Sequence, residues 1–272
     1  MFVVRHRTVV YQMGIVLVKC SRRWYSVREM NDDSVDELPR PPWHRTPDRG
    51  RSRRREPITQ QAVVAAAIAV LDEEGLDGLS MRKVGERLGT GATSLYWHVG
   101  SKDGLLDLIL DEVIGEQHVP DPEPTRWQEQ LKDVARTMRR TILAHRDIVR
   151  ISIGRIPMGP NALHYSERVL AILRAGGVPD DLAVVGFHLL TCVVNGFTMD
   201  ETGEGGQPPA EMPPLEEIGA MARDYLASLP PHRFPNLTQL ADQLAITDPD
   251  RRFGLLLDFY VGGLARAAAG SP

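Results

Sequence analysis

Residues 79–102 read Leu-Ser-Met-Arg-Lys-Val-Gly-Glu-Arg-Leu-Gly-Thr-Gly-Ala-Thr-Ser-Leu-Tyr-Trp-His-Val-Gly-Ser-Lys, and this stretch decides the fold. It divides into two short helices around a glycine turn. Ser80 is placed to cap a helix over Met81–Leu88, because its hydroxyl can accept one of the free backbone N–H groups of the first turn. Val84 and Leu88, four apart, give that helix one apolar face. Gly89 supplies the left-handed residue that ends it. A second helix from about Gly91 to His98 turns Leu95 and Val99 inward and leaves Ala92, Thr93, Ser94, Tyr96 and His98 for the outer faces. Two helices joined in this way form the unit that lays its second helix in the DNA major groove, so the segment implies a double-stranded DNA partner.

The neighbouring elements follow the same logic. Thr59, bracketed by Ile58 and Val63 as a hydrophobic staple, starts a first helix that runs through Val64, Ala67, Ile68 and Leu71 to Gly75. Ser101 caps a fourth helix whose apolar face is Leu105, Leu108, Ile109 and Val113. Pro122 and Pro124 then break the chain. Helical segments are expected at about 127–145, 161–175, 180–201, 214–228 and 251–269. No segment alternates apolar and polar over a useful length, so no strand is expected and the chain reads as all-α, a helix-turn-helix head plus a larger helical domain. Residues 1–56 lack apolar residues to bury beyond an initial run, and Pro39, Pro41, Pro42 and Pro47 interrupt helix there. They read as a disordered arm, basic near its end at Arg49, Arg51 and Arg53 to Arg55.

Composition sets the outer limits. The chain has 272 residues, 42% hydrophobic and 25% charged, the balance of an ordinary globular protein. A net charge of −4 conceals segregation: the arginines crowd ahead of residue 57, while acidic residues gather between Asp200 and Glu217. Cys20 and Cys192 alone cannot make a disulfide framework or a thiolate metal cluster, which fits a reducing cytoplasm. No uninterrupted apolar run reaches the roughly 18 residues of a membrane span. Arg5 and Arg7 precede an apolar stretch from Val9 to Val18, but Gln12 interrupts it and no small-residue cleavage site follows, so a secretory signal is not expected. Met30 is an alternative start to Met1. The eight histidines form no His-x-x-x-His pair, and there is no Gly-x-Ser-x-Gly elbow. Neither an enzyme nor a metal or cofactor site is expected.

The run Ser94-Leu95-Tyr96-Trp97-His98-Val99, followed by Ser101-Lys102 and Leu105-Leu106-Asp107, resembles the DNA-reading head of TetR-family regulators, in the branch that contains the tetracycline repressor. The likeness spans Pro57 to Glu116 and continues more weakly in His145-Arg146-Asp147 and Val194-Asn195-Gly196-Phe197. It implies a head over residues 57–116 and an effector-binding and dimerisation domain over 117–272. It implies base reading by Arg82, an approach to DNA by Ala92, Thr93 and Ser94, and phosphate contacts from Ser80, Tyr96, His98 and Lys102, with Leu95 and Trp97 in the core. The apolar helices at 180–200 and 251–269, with Gly254, Gly262 and Gly263 permitting close approach, would pair with their twofold mates in a homodimer.

For the effector, the resemblance places His118 on a ligand-binding histidine and Asp200 on a magnesium-linked carboxylate. Ser152 stands where the metal-binding histidine would be. Val134 and Val169 replace drug-gripping polar residues, and Met138 an aromatic wall. A tetracycline–magnesium complex would leave polar atoms unpaired there, at about 1–3 kcal/mol each. The expectation is therefore a largely apolar small molecule, bounded by Phe187 and Met138 and anchored through His118, His164, Tyr165, Asn195 or Arg155. Such a protein is a repressor released from a palindromic operator by its effector; the alternative is a DNA-binding regulator without one, controlled by a protein partner or constitutive. Activation rather than repression stays open.

Overall fold

The structure, a computed structural model, describes residues 10–12, 15–17, 58–203, 215–245 and 248–270. The arginine-rich segment, Cys20 and most of the acidic loop lie outside the described residues. Within the first unit, β1 (Val10–Gln12) pairs antiparallel with β2 (Ile15–Leu17), Tyr11 opposite Val16. This corrects the expectation that no strand is present. Three-residue strands are too short to display alternation, but β-branched and aromatic residues on both sides of a two-residue Met13-Gly14 link are a hairpin signal.

Every secondary-structure element among the described residues of the second unit is a helix. The first four helices are α1 (Gln60–Gly78), α2 (Met81–Arg87), α3 (Ala92–Val99) and α4 (Lys102–Gly115). The hydroxyls expected to cap do so: Thr59 accepts from Ala62 N at 3.1 Å, Ser80 from Lys83 N at 3.3 Å and Ser101 from Gly104 N at 2.9 Å. Val63, Ala67, Leu71, Val84, Leu95, Leu105 and Ile109 close the head's core, each fully buried. Gly89 has φ 64°, as its position at the end of α2 requires. At Gly75, φ 74° kinks α1, and a Cβ there would lie 2.6 Å from the Asp147 carboxylate. That glycine lets the following loop of the larger domain press against the head.

After a 3₁₀ turn at Pro124–Arg126 come α5 (Trp127–Ala144), α6 (Ile148–Ser152), α7 (Pro160–Ala175) and α8 (Asp180–Thr202). Then follow α9 (Leu215–Ser228), α10 (Pro235–Gln239), α11 (Ala241–Leu244) and α12 (Pro249–Gly270). Helices α6, α10 and α11 were not expected, because one turn is too short to show a 3.6-residue period.

Helix α8 packs along α5, α7 and α12. It buries one stripe, Ala183, Gly186, Leu190, Val194 and Thr198. Its other side carries Val184, Val185 and Leu189 exposed. Helix α12 buries Phe253, Leu257 and Val261 and exposes Leu255 and Phe259. By length and composition α8 would suffice to cross a membrane, although Thr191 and Asn195 break every uninterrupted apolar run. Its buried stripe instead packs against protein helices.

Candidate nucleic-acid interface and effector cleft

Packing alone determines what α3 can offer to a ligand. Leu95 and Val99 point into the head, which leaves Thr93, Tyr96 and Trp97 exposed and Ala92, Ser94 and His98 half-buried. Trp97 is 59% exposed, correcting its expected place in the core. It lies about 200° round the helix from Leu95, so the helical period itself puts it on the outer face. An exposed indole beside Tyr96 is the one large candidate contact that the sequence reading missed.

The start of α3 is tightly held. Ser94 Oγ lies 2.7 Å from Thr90 Oγ1 and donates to the Gly91 carbonyl at 2.8 Å. At the other end Gln60 Nε2 donates to the His98 carbonyl at 2.8 Å, fastening α3 to the start of α1. Arg82 is exposed on α2 and pairs with Glu86 one turn on. Lys83 and Arg87 of the same helix pair with Glu74 and Glu73 of α1, which fixes α2 against it. Lys102 is exposed at the start of α4 and has the N-terminal backbone of that helix beside it. The eight residues singled out for DNA thus come from α2, α3 and α4 and the cap of α2, with α3 packed against both other helices, and Arg82, Thr93, Tyr96 and Lys102 are exposed.

At the far end of α4 a cleft of about 490 Å³ opens against α7. It gathers His118, His164 and Tyr165 of the expected effector residues, and adds Glu116, Gln117 and Arg168. Arg168 is held by Asp121 at 2.8 Å and by the Val119 carbonyl at 2.8 Å. Among the described residues, Gln117 Oε1 is buried without a hydrogen-bond partner, a cost of about 1–3 kcal/mol that a donor on a bound molecule would relieve. Among the described residues the Tyr165 hydroxyl reaches only the Met138 sulfur, 3.9 Å away, and burial pushes its phenol well above the usual tyrosine range. Met138 is buried on α5 behind it.

The remaining expected residues lie elsewhere. Phe187 is half-buried on α8, and Asn195 Nδ2 sits 3.5 Å from Ser152 Oγ. Val134 and Val169 are ordinary core. Asp200 is exposed and pairs with Arg252 at 2.9 Å. Arg155 does not line the cleft. Its guanidinium bridges Asp107 at 2.6 Å and Asp103 at 2.9 Å, tying the loop after α6 to the first turns of α4. A second cleft, about 510 Å³ between α5 and α12, is charged, with Arg136, Arg140, Asp133 and Asp250 along it. Arg139 there stacks on Phe253 and Phe197 and is clamped by Glu201, whose hydrogen bonds raise its already high pKa. Among the described residues no group of three or more His, Cys, Asp or Glu side chains is placed to hold a metal ion.

Comparison with known proteins agrees with this anatomy. Residues 63–109 match the family described as bacterial regulatory proteins, tetR family, and residues 119–267 the tetracyclin repressor-like C-terminal domain. An HTH-type transcriptional regulator of Saccharopolyspora erythraea is 43% identical over 126 residues, 46% of this chain and 53% of that one, so the match spans about half of that relative. The HTH-type transcriptional repressor DrrR1 of Streptomyces coeruleorubidus is 34% identical over 232 residues, covering 80% of this chain and 82% of its own. The crystal structure of the Streptomyces coelicolor TetR family protein ActR in complex with actinorhodin superposes with a TM-score of 0.74 at 43% identity, over 80% of this chain and all of that one. With a reading head and a helical core both matched, the chain belongs to the TetR family of bacterial DNA-binding transcriptional regulators.

Proposed function

We propose that the protein is a cytoplasmic homodimeric repressor that holds a near-palindromic operator with two copies of α3 and leaves it when a largely apolar small molecule enters the core. One observation carries this reading. Helix α4 begins with Lys102 beside the recognition helix and ends with Gly115 in the lining of the cleft. Its 14 residues form a rod of about 21 Å that reaches both sites. A ligand that binds better when the end of α4 is displaced would draw the population away from the DNA-bound state by that difference in affinity.

The orphaned Gln117 oxygen and the poorly satisfied Tyr165 hydroxyl supply two polar anchors in a cleft whose lining sets Glu116, His118, Asp121 and Arg168 beside Ile114 and Val119. The relative ActR has been crystallised with actinorhodin and with (S)-DNPA, which makes actinorhodin a suitable first probe. Tetracycline with magnesium is not the expected effector, since Ser152 offers no imidazole and its hydroxyl is already bonded to the Val149 carbonyl at 2.8 Å.

The test is fluorescence anisotropy of a labelled duplex, selected by this protein from a random library, titrated with either compound. Release by micromolar actinorhodin, weakened in His118→Ala or Gln117→Leu, supports the reading. Magnesium-dependent release by tetracycline contradicts it. Control by a protein partner is the second reading, favoured by the exposed apolar side chains Tyr225, Leu240 and Leu244 on α9 to α11. Thermal melting separates the two, because a small ligand at 100 times its Kd adds about 2.7 kcal/mol of stability.

A further inference from the structure

Where the head meets the larger domain, His145 at the end of α5 is placed between two carboxylates from two different head helices. Its Nδ1 lies 3.1 Å from Asp72 Oδ2 on α1, and its Nε2 lies 3.0 Å from Glu116 Oε2 at the end of α4. A neutral imidazole has one N–H and one bare lone pair, so it would turn that lone pair on one of the two anions. Only the imidazolium donates at both nitrogens. The surroundings support that form. Asp72 also accepts from the Arg146 backbone N at 3.1 Å, so its position is fixed. The next charges in the loop are already engaged: Arg146 reaches the Glu73 carbonyl, and Asp147 accepts from the Leu76 backbone N at 2.7 Å and from Arg150 at 3.0 Å. Burial by itself favours the neutral ring, but the hydrogen bonds to Glu116 and Asp72 outweigh it and raise the pKa of His145 above its usual value.

We propose that His145 is a positioning residue, a protonated latch that fixes both α1 and α4 to the core and makes operator affinity depend on pH. The proposal rests on DNA binding by the head and not on effector release. Glu116 also lines the cleft described above, so a molecule seated there touches one arm of the latch. The sign follows from linkage. A histidine whose folded pKa is raised contributes its stabilisation in full below the ordinary value near 6.5 and loses it as pH rises through the folded value. A head held at both arms is pre-organised for DNA, and one released above that pH is not.

The experiment uses the full chain and a duplex selected by it from a random library. Operator affinity is measured from pH 5.5 to 8.5 for the unaltered protein, His145→Gln and Glu116→Gln, alongside the ¹⁵N resonances of the imidazole. The unaltered protein should bind more weakly as pH rises through the neutral range, and at pH 6 His145→Gln should cost about fivefold in affinity. Glu116→Gln should shift the pH profile to lower pH, a change that loss of packing alone would not cause. Both ring nitrogens of His145 should carry protons at pH 6.5. Parallel pH profiles for the unaltered protein and His145→Gln, or a neutral ring at that pH, would overturn the proposal, and the ring spectrum decides even if a variant folds poorly.

Discussion

Phe259→Arg and Leu189→Arg should each convert the protein into a folded chain that no longer dimerises or holds its operator. Both side chains lie outside the core of the single chain, Phe259 at 76% and Leu189 at 45% exposure, so neither change opens a cavity. They stand on adjacent helices with Val184, Val185 and Leu255, and no atom of the described residues comes within 4 Å of a Cβ built at Gly254, Gly262 or Gly263. Five large apolar side chains left exposed on two helices that pack together mark an interaction surface. Covering each large side chain is worth about 1.5–3 kcal/mol. Across a twofold axis each substitution enters twice, and two unpaired buried guanidiniums should weaken association by about a thousandfold or more. Sedimentation should then report monomers with unchanged helix content. A native-sized dimer for both variants would place the interface elsewhere.

The second large effect belongs to Arg82. Its pair with Glu86 is exposed on both sides and worth at most about 1 kcal/mol, so exchanging the carboxylate for a guanine edge costs little. Arg82→Ala should lose about 1–3 kcal/mol per half-site, hence about 30-fold or more in a dimer, and relax discrimination at one base pair in each half. Lys102→Ala should behave differently. It should weaken binding to all sequences alike and lower the salt slope by about one per head, because a lysine on phosphate releases counterions without reading bases. Anisotropy titrations over a salt series, with single-base variants of the duplex, distinguish the two. An Arg82→Ala protein with intact discrimination would remove the arginine from the reading face.

The head was legible in the sequence because local chemistry determines it. Thr59, Ser80 and Ser101 cap the helices they are expected to cap, Gly89 turns left-handed where α2 has to stop, Gly75 kinks α1 but does not end it, and Leu95 and Val99 are the buried pair of α3. Trp97 suggests a core place by its size, but its register relative to Leu95 sets it on the outer face, where it is exposed. Contacts between distant segments were illegible. Arg155 invites an effector role because a lone arginine in a loop carries no sign of its partners, and Asp103 and Asp107 lie about fifty residues away. Gln117 carries no signal in the sequence, since it matters through an unmatched buried atom; His145 stands out within His145-Arg146-Asp147, but its two carboxylate partners from α1 and α4 do not. The helices at 180–202 and 249–270 read as apolar on nearly every side, but in the single chain each buries one stripe and leaves the other open.

The most direct test of the account is the sequence of the DNA that the protein itself selects from a random duplex library. Two recognition helices related by a twofold axis should enrich an inverted repeat, with half-site centres one helical turn or a multiple apart, and Phe259→Arg should lose that enrichment. Recovery of a single unrepeated site, or of no preferred sequence at moderate salt, would contradict it.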